Sequence, residues 1–176
     1  MDYDIALIMA GGKGKRFGSN MKPFVEICKK PMIFNIIDKT IKIFRFTIIA
    51  VSPNVENFLY ILKNNYKEVM LIYTTGIDYS IDMGIILNAI KKRPIMIFPS
   101  DIPNITDETI KYIIKSTENI KNDIITITDS HGNPIGISII KGHNLNNWTN
   151  YSLDNKNLLN INTIEDYEKA KMICND

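Results

Sequence analysis

IALIMAGGKGKRFGSNMKPFV, residues 5–25, decides the fold. The apolar run Ile5-Ala6-Leu7-Ile8-Met9 has the length and branching of a strand buried on both faces, the pattern of a parallel sheet. It stops abruptly at Ala10-Gly11-Gly12-Lys13-Gly14-Lys15-Arg16. Three glycines in four positions allow positive φ and remove the side chains that would keep a phosphate from backbone N–H groups. Lys13, Lys15, Arg16 and Lys22 surround the same space with positive charge, and Pro23 stiffens the exit. A strand that empties into such a loop is suited to cradling a polyphosphate.

Two better-known glycine loops do not fit. A P-loop, G-x-x-x-x-G-K-[ST], would need glycine at Met9 and a hydroxyl at Arg16. The dinucleotide fingerprint G-x-G-x-x-G, begun at Gly12 and Gly14, would need its third glycine at Phe17.

The 176 residues fit one domain, 1–176, with a sizeable core. A net charge of +2 with interspersed signs leaves no basic block that could track a nucleic-acid backbone, so no nucleic-acid partner is expected. No apolar run reaches the ~18–20 residues of a bilayer span, and Met1-Asp2-Tyr3-Asp4 is acidic where a signal peptide is basic. A cytoplasmic protein is the expectation. Cys28 and Cys174 show no C-x-x-C spacing, and His131 and His143 no paired spacing, so all four are expected to be ordinary side chains.

Outward from the first loop, strand and helix alternate. Pro31 opens a helix whose apolar residues Ile33, Ile36, Ile37, Ile41 and Phe44 recur at three and four, and Phe46 to Val51 is a second buried strand ended by Ser52-Pro53-Asn54. Glu56 to Tyr66 reads as helix, Val69 to Tyr73 as strand, and a further helix runs through Ile81, Ile85 and Ile90 after Thr74-Thr75-Gly76. Pro94 to Phe98 is a fourth strand, with Ser100-Asp101-Ile102-Pro103 directly at its end. Thr106 caps a helix to Ile120, two strands follow at 123–128 and 134–140, and 141–157 is expected to be an irregular loop that closes over substrate or a partner. Thr163 and Asp166 have capping-box spacing at the start of the last helix, with Asn160 and Asn162 just before it.

This alternation predicts an α/β fold, a three-layer αβα sandwich around a mostly parallel, Rossmann-like central sheet. Ligands of such sheets collect outside the carboxyl ends of strands where the strand order reverses, so Asp101 and the Gly11 loop are expected to share one crevice. Asp101 is a candidate metal ligand there, and Asn160 and Asn162 stand where a helix N-terminus suits a phosphate or a metal.

Ala10, Gly11, Gly12, Gly14, Arg16, Phe17, Gly18, Lys22 and Pro23 also follow the pattern A-G-G-x-G-x-R-[MFL]-G…K-P. Together with Ser100-Asp101-Ile102-Pro103, Pro134-Ile135-Gly136-Ile137 and the ending Asn160-Ile161-Asn162-Thr163-Ile164-Glu165-Asp166-Tyr167, the chain resembles the molybdopterin-guanylyltransferase-like nucleotidyltransferases of GT-A-like fold. Within them it is similar to the archaeal guanylyltransferases of cobalamin nucleotide-loop assembly, through Ala50-Val51-Ser52-Pro53-Asn54 and Thr75-Gly76 with Tyr79 and Asp82.

The resemblance implies GTP as substrate, Mg2+ as cofactor and a phosphorylated corrinoid as acceptor. It puts Ala10, Gly11, Gly12, Gly14 and Arg16 on the triphosphate, Lys22 near the α-phosphate, and Asp101 with Asn162 on the metal. Asn54, Thr75 and Gly76 fall where the base is read, Gly136 where acceptor and α-phosphate meet, and Asn160 beside the nucleotide. Asp78 stands where the pattern has glycine. A homodimer is the expected assembly. Transfer to molybdopterin or to another phosphorylated acceptor is the alternative within this reading, and a non-catalytic nucleotide binder the alternative outside it.

Overall fold

In the computed structural model, which describes residues 3–12, 17–18, 22–154, 158 and 160–172, a seven-stranded sheet runs through the molecule. Its first half is parallel. β1 (Ile5–Met9) lies between β4 (Phe46–Val51) and β6 (Ile95–Pro99), with Met9 opposite both Ala50 and Pro99, and β5 (Met70–Tyr73) forms the edge beyond β4. On the other side β8 (Pro134–Ile140) pairs antiparallel with β6 and with β7 (Ile124–Thr128). The order β5-β4-β1-β6-β8-β7-β9, with β9 (Trp148–Ser152) at the far edge, puts the reversal between β1 and β6. Residues after these two strands therefore open onto one crevice, as the sequence predicts.

Both faces of the parallel strands are buried, which is why their sequences read as unbroken apolar runs. Ala6, Ile8, Ile49, Val51, Met96 and Phe98 point into one core, together with Ile33, Ile36 and Ile37 of α1 (Met32–Ile43), Leu62 of α2 (Leu59–Asn65) and Ile110 and Ile113 of α4 (Asp107–Thr117). Ile5, Leu7, Ile48, Ala50, Ile95 and Ile97 point the other way, onto Ile86 of α3 (Tyr79–Ala89). The layers are thus helix, sheet, helix. Each of the larger of these side chains, Ile, Leu, Val, Met or Phe, contributes about 1.5–3 kcal/mol when wholly withdrawn from water.

A third cluster is smaller. Phe17, Ile27, Met32, Ile161 and Ala170 pack together, joining α5 (Ile164–Met172) to the exit of the glycine loop and to the two-stranded ribbon β2 (Glu26–Ile27) and β3 (Lys30–Pro31). The last helix is thereby held against the loop it faces.

Four expectations change. The helix expected from Glu56 begins only at Leu59, because Ser52 accepts from the amide of Asn54 and Pro53 starts a tighter 3-10 stretch, Pro53–Phe58. In α3 the isoleucines that marked the helix are half-exposed, at 52% for Ile81 and 39% for Ile85, whereas Asp82 and Ile86 are buried. That helix is apolar nearly all round, so the pattern could not identify its inner face. The stretch expected to be an irregular loop contains β9 (Trp148–Ser152), parallel to β7 at the sheet edge. Finally, Cys28 is disulfide-bonded rather than an ordinary side chain.

Candidate functional site

The crevice is a cleft of about 550 Å³, a size suited to a nucleotide. Its lining includes seven of the residues singled out from the sequence: Gly11, Gly12, Lys22, Gly76, Asp101, Gly136 and Asn162. They come from segments far apart in the chain, brought together by the strand reversal.

The glycine loop is anchored before it opens. Ala10 is buried and its amide donates to the Ala50 carbonyl at 3.0 Å, prolonging the β1–β4 ladder. The Gly11 carbonyl then accepts from Ser52 Oγ at 2.7 Å and from Asn54 Nδ2 at 3.1 Å. A Cβ on Gly11 would lie 3.1 Å from Ser52 Cβ, so close approach explains that glycine. Gly12 differs, since nothing lies within 4 Å of where its Cβ would be. The space over Gly12 is open and belongs to the cleft. Gly14 and Arg16, with Lys13 and Lys15, lie outside the described residues.

Lys22 begins a single 3-10 turn, Lys22–Phe24, and Asp101 follows β6. Their side chains meet at 2.5 Å, with only 13% and 16% of each exposed. The other carboxylate oxygen, Asp101 Oδ1, is buried and has no hydrogen-bond partner. An oxygen in that condition at the foot of this cleft fits a divalent cation. Among the described residues no three His, Cys, Asp or Glu side chains cluster as a metal cage. One carboxylate completed by phosphate oxygens is, however, how Mg2+ is commonly held.

Asn162 lines the cleft from the far side. The Ile161 amide donates to the Asp101 carbonyl at 3.0 Å, fixing this stretch to the end of β6. The capping box forms as the spacing predicts: Thr163 Oγ1 accepts from the Asp166 amide at 3.1 Å, and Asp166 Oδ2 accepts from the amides of Thr163 and Asn162, each at 2.9 Å. Burial opposes ionisation of Asp166, but the Asn162 amide and the Thr163 hydroxyl and amide outweigh it and hold the carboxyl below its usual range. Asn160 sits deeper, donating to the Ile135 carbonyl at 3.4 Å with its own Oδ1 buried and unpartnered.

On the opposite wall Thr75 and Gly76 form the turn after β5. Asn54 Nδ2 donates to the Gly76 carbonyl at 3.3 Å as well as to Gly11, so one side-chain amide ties the two loops together. Gly76 has φ +66°, and a Cβ there would come within 2.5 Å of Asn54 Nδ2. Gly136, at φ +83°, lets β8 lie against Pro99, whose Cγ would be 2.9 Å from an added Cβ. Asp78, where the motif has glycine, is the N-cap of α3 and accepts from the amides of Ser80 and Ile81.

Sequence reasoning gave no role to Ser52, Thr74 or Asp82. Asp82 is 5% exposed, and its carboxylate accepts from Thr75 Oγ1 at 2.6 Å, the Thr75 amide at 2.8 Å and the Gly76 amide at 3.0 Å. Burial works against its charge, yet these donors and the Thr74 hydroxyl hold its carboxyl below the usual range. The available signal was one of spacing: a polar residue inside an apolar helix, one turn past a glycine turn.

The cleft has relatives. The chain matches the MobA-like NTP transferase domain over residues 6–157. It is 26% identical over 189 residues to the adenosylcobinamide-phosphate guanylyltransferase of Methanocaldococcus jannaschii, covering 96% of each chain. It is 34% identical over 140 residues to a probable molybdenum cofactor guanylyltransferase of Natranaerobius thermophilus, covering 78% of this chain and 61% of that one. A solved structure of molybdopterin-guanine dinucleotide biosynthesis protein A from Archaeoglobus fulgidus superposes with a TM-score of 0.73 over 97% of this chain and 98% of that one, at 20% identity. The chain belongs to the MobA-like NTP transferase family and is a nucleotidyltransferase.

Proposed function

We propose that the protein transfers GMP from GTP to the phosphate of adenosylcobinamide phosphate, giving adenosylcobinamide-GDP and pyrophosphate. The observation that carries this reading is the match to a guanylyltransferase of that name along 96% of both chains.

The chemistry needs little from the protein beyond placement and charge. An acceptor phosphate oxygen is already ionised at neutral pH, so no side chain has to serve as nucleophile. That oxygen bonds to the α-phosphorus of GTP as the bond to the β-phosphate bridging oxygen breaks, and pyrophosphate departs in line with the negative charge. The loop amides at Gly11 and Gly12, with Gly14 and Arg16 by their place in the motif, bind the triphosphate. The Lys22 ammonium offsets charge at the α-phosphate, the group under attack. Asp101 and Asn162 would hold Mg2+, which supplies Lewis-acid polarisation of the phosphates when bound. Asp101 meanwhile orients Lys22 through their ion pair. Asn54, Thr75 and Gly76 flank the base, Asn160 supports the nucleotide side, and Gly136 leaves room where the acceptor approaches.

A second reading, transfer to molybdopterin, is favoured by the 34% identity with the molybdenum cofactor relative. Incubation with GTP and either acceptor separates them. Pyrophosphate released only with cobinamide phosphate supports the first, release only with molybdopterin replaces it with the second, and release with neither overturns both. Melting-temperature shifts with GTP, ATP, CTP and UTP test the nucleotide independently of the acceptor.

A further inference from the structure

Every hydrogen-bond donor of residues 74–76, just after β5, is already engaged. The Thr74 amide donates to the Val51 carbonyl at 2.8 Å, and its hydroxyl is shared between the same oxygen, at 3.2 Å, and Asp82. The Thr75 amide, the Thr75 hydroxyl and the Gly76 amide all converge on Asp82. Each peptide unit is planar and trans, so its carbonyl points opposite its N–H. With the amides of Thr75 and Gly76 turned onto Asp82, the carbonyls of Thr74 and Thr75 are turned away from it. Thr74 and Gly76 line the cleft. What residues 74–76 can offer a ligand is therefore acceptors, not donors.

That bears on which purine fits. The Watson–Crick edge of guanine presents two adjacent donors, N1–H and the N2 amino group, beside the O6 acceptor, whereas adenine presents a single donor, its N6 amino group, beside an acceptor at N1. We propose that Asp82 is a positioning residue that sets guanine over adenine selectivity, by drawing every donor of residues 75–76 onto itself and leaving this stretch as acceptors. The proposal rests on the reading of GTP as substrate. Asp82 also lines the cleft, but its carboxylate is taken up by the donors of Thr75 and Gly76, so its effect is exerted through the loop. A carboxylate suits this task because it only accepts, so it takes both amides and the hydroxyl at once. An asparagine of the same shape would bring its own NH2 against one of those amides. Asn54 transmits the arrangement by tying Gly76 to Gly11, so base wall and phosphate loop are positioned together.

Binding constants of GTP, ITP and ATP for the wild type, Asp82→Asn, Thr75→Val and Thr75→Ser test it. ITP lacks the N2 amino group and separates the two donors. The wild type is expected to prefer GTP over ATP, and Asp82→Asn to lose about tenfold or more of that preference, since sites built to pair a polar edge discriminate by such factors or larger. Thr75→Val is expected to lose part of the preference and Thr75→Ser to keep it; this pair carries the test should Asp82→Asn not fold. GTP and ATP affinities that fall in parallel, with their ratio unchanged, would leave Asp82 a structural residue only and overturn the proposal. A wild type with no preference for GTP would overturn the GTP reading itself, a separate outcome read on a separate protein.

Discussion

Lys22 Nζ and Asp101 Oδ2 lie 2.5 Å apart across the foot of the cleft, joining the exit of the glycine loop to the end of β6. The pair joins two segments that lie 79 residues apart in the chain. Lys22 and Gly12 line the same cleft. Lys22→Ala is expected to lower turnover by ~10²–10³, the range seen when a single preorganised charge-stabilising donor is removed. Pyrophosphate release from a variant whose melting curve stays cooperative is the measurement. Turnover within a few-fold of wild type would take Lys22 out of the reaction.

Asp101 has a second free valence, and this makes its substitution distinct from that of Lys22. Its Oδ1 is buried without a partner, while Oδ2 already holds the ammonium. Asp101→Asn is expected to raise the Mg2+ concentration for half-maximal activity by tenfold or more, because a neutral amide oxygen is a weaker ligand for a hard cation. Titration of Mg2+ against turnover at saturating GTP reads this directly. An unchanged Mg2+ requirement would assign Asp101 to the ion pair alone.

The glycine loop, the parallel strands and the place of Asp101 in the cleft were legible because each follows from a local rule. Five apolar residues before glycines read as a buried strand, and Asp101 follows the next strand's end directly. Asn160 and Asn162 could be placed because Thr163 and Asp166 announce a helix start. Asp82 was not legible as a site residue, since its partners depend on how α3 turns about its axis, and an almost uniformly apolar helix does not encode that. β9 was missed for a related reason. Its residues Trp148-Thr149-Asn150-Tyr151-Ser152 alternate between exposed and half-buried at an edge, with too little apolar signal to stand out from the asparagines around it.

Stability at low pH should report on Asp82. Its folded-state carboxyl is held below the ordinary value, burial opposing and the donors of Thr75, Gly76 and Thr74 prevailing. A group with a depressed folded pKa contributes stability that is fully present above its unfolded value, about 3.9, and is lost as pH falls through the folded value. The stability gap between wild type and Asp82→Asn is therefore expected to be flat from about pH 6 to 8 and to close below about pH 4. Urea unfolding at a series of pH values checks it. A gap that persists undiminished at pH 3 would show that the lost shape, not the lost charge, destabilises the variant.

Two glycines of the cleft separate folding from ligand binding. Gly76 has φ +66°, and a Cβ there would come within 2.7 Å of Ser52 and Asn54 atoms, so Gly76→Ala meets both backbone strain and collision. Left-handed backbone alone costs an ordinary residue about 1–2 kcal/mol, and the crowding adds to it. Gly12 has neither problem: nothing lies within 4 Å of its added Cβ, yet Gly12 lines the cleft. Gly12→Ala is therefore expected to unfold within about 0.5 kcal/mol of wild type, as substitutions away from packed features do, while GTP binding weakens tenfold or more. A methyl group there would occupy the path by which a phosphate reaches the loop amides. Gly76→Ala is expected to lose stability before it loses anything else. Urea denaturation and GTP titration on the same two preparations decide the matter. Tight GTP binding by Gly12→Ala would mean that the open space over this glycine is not where the phosphates lie.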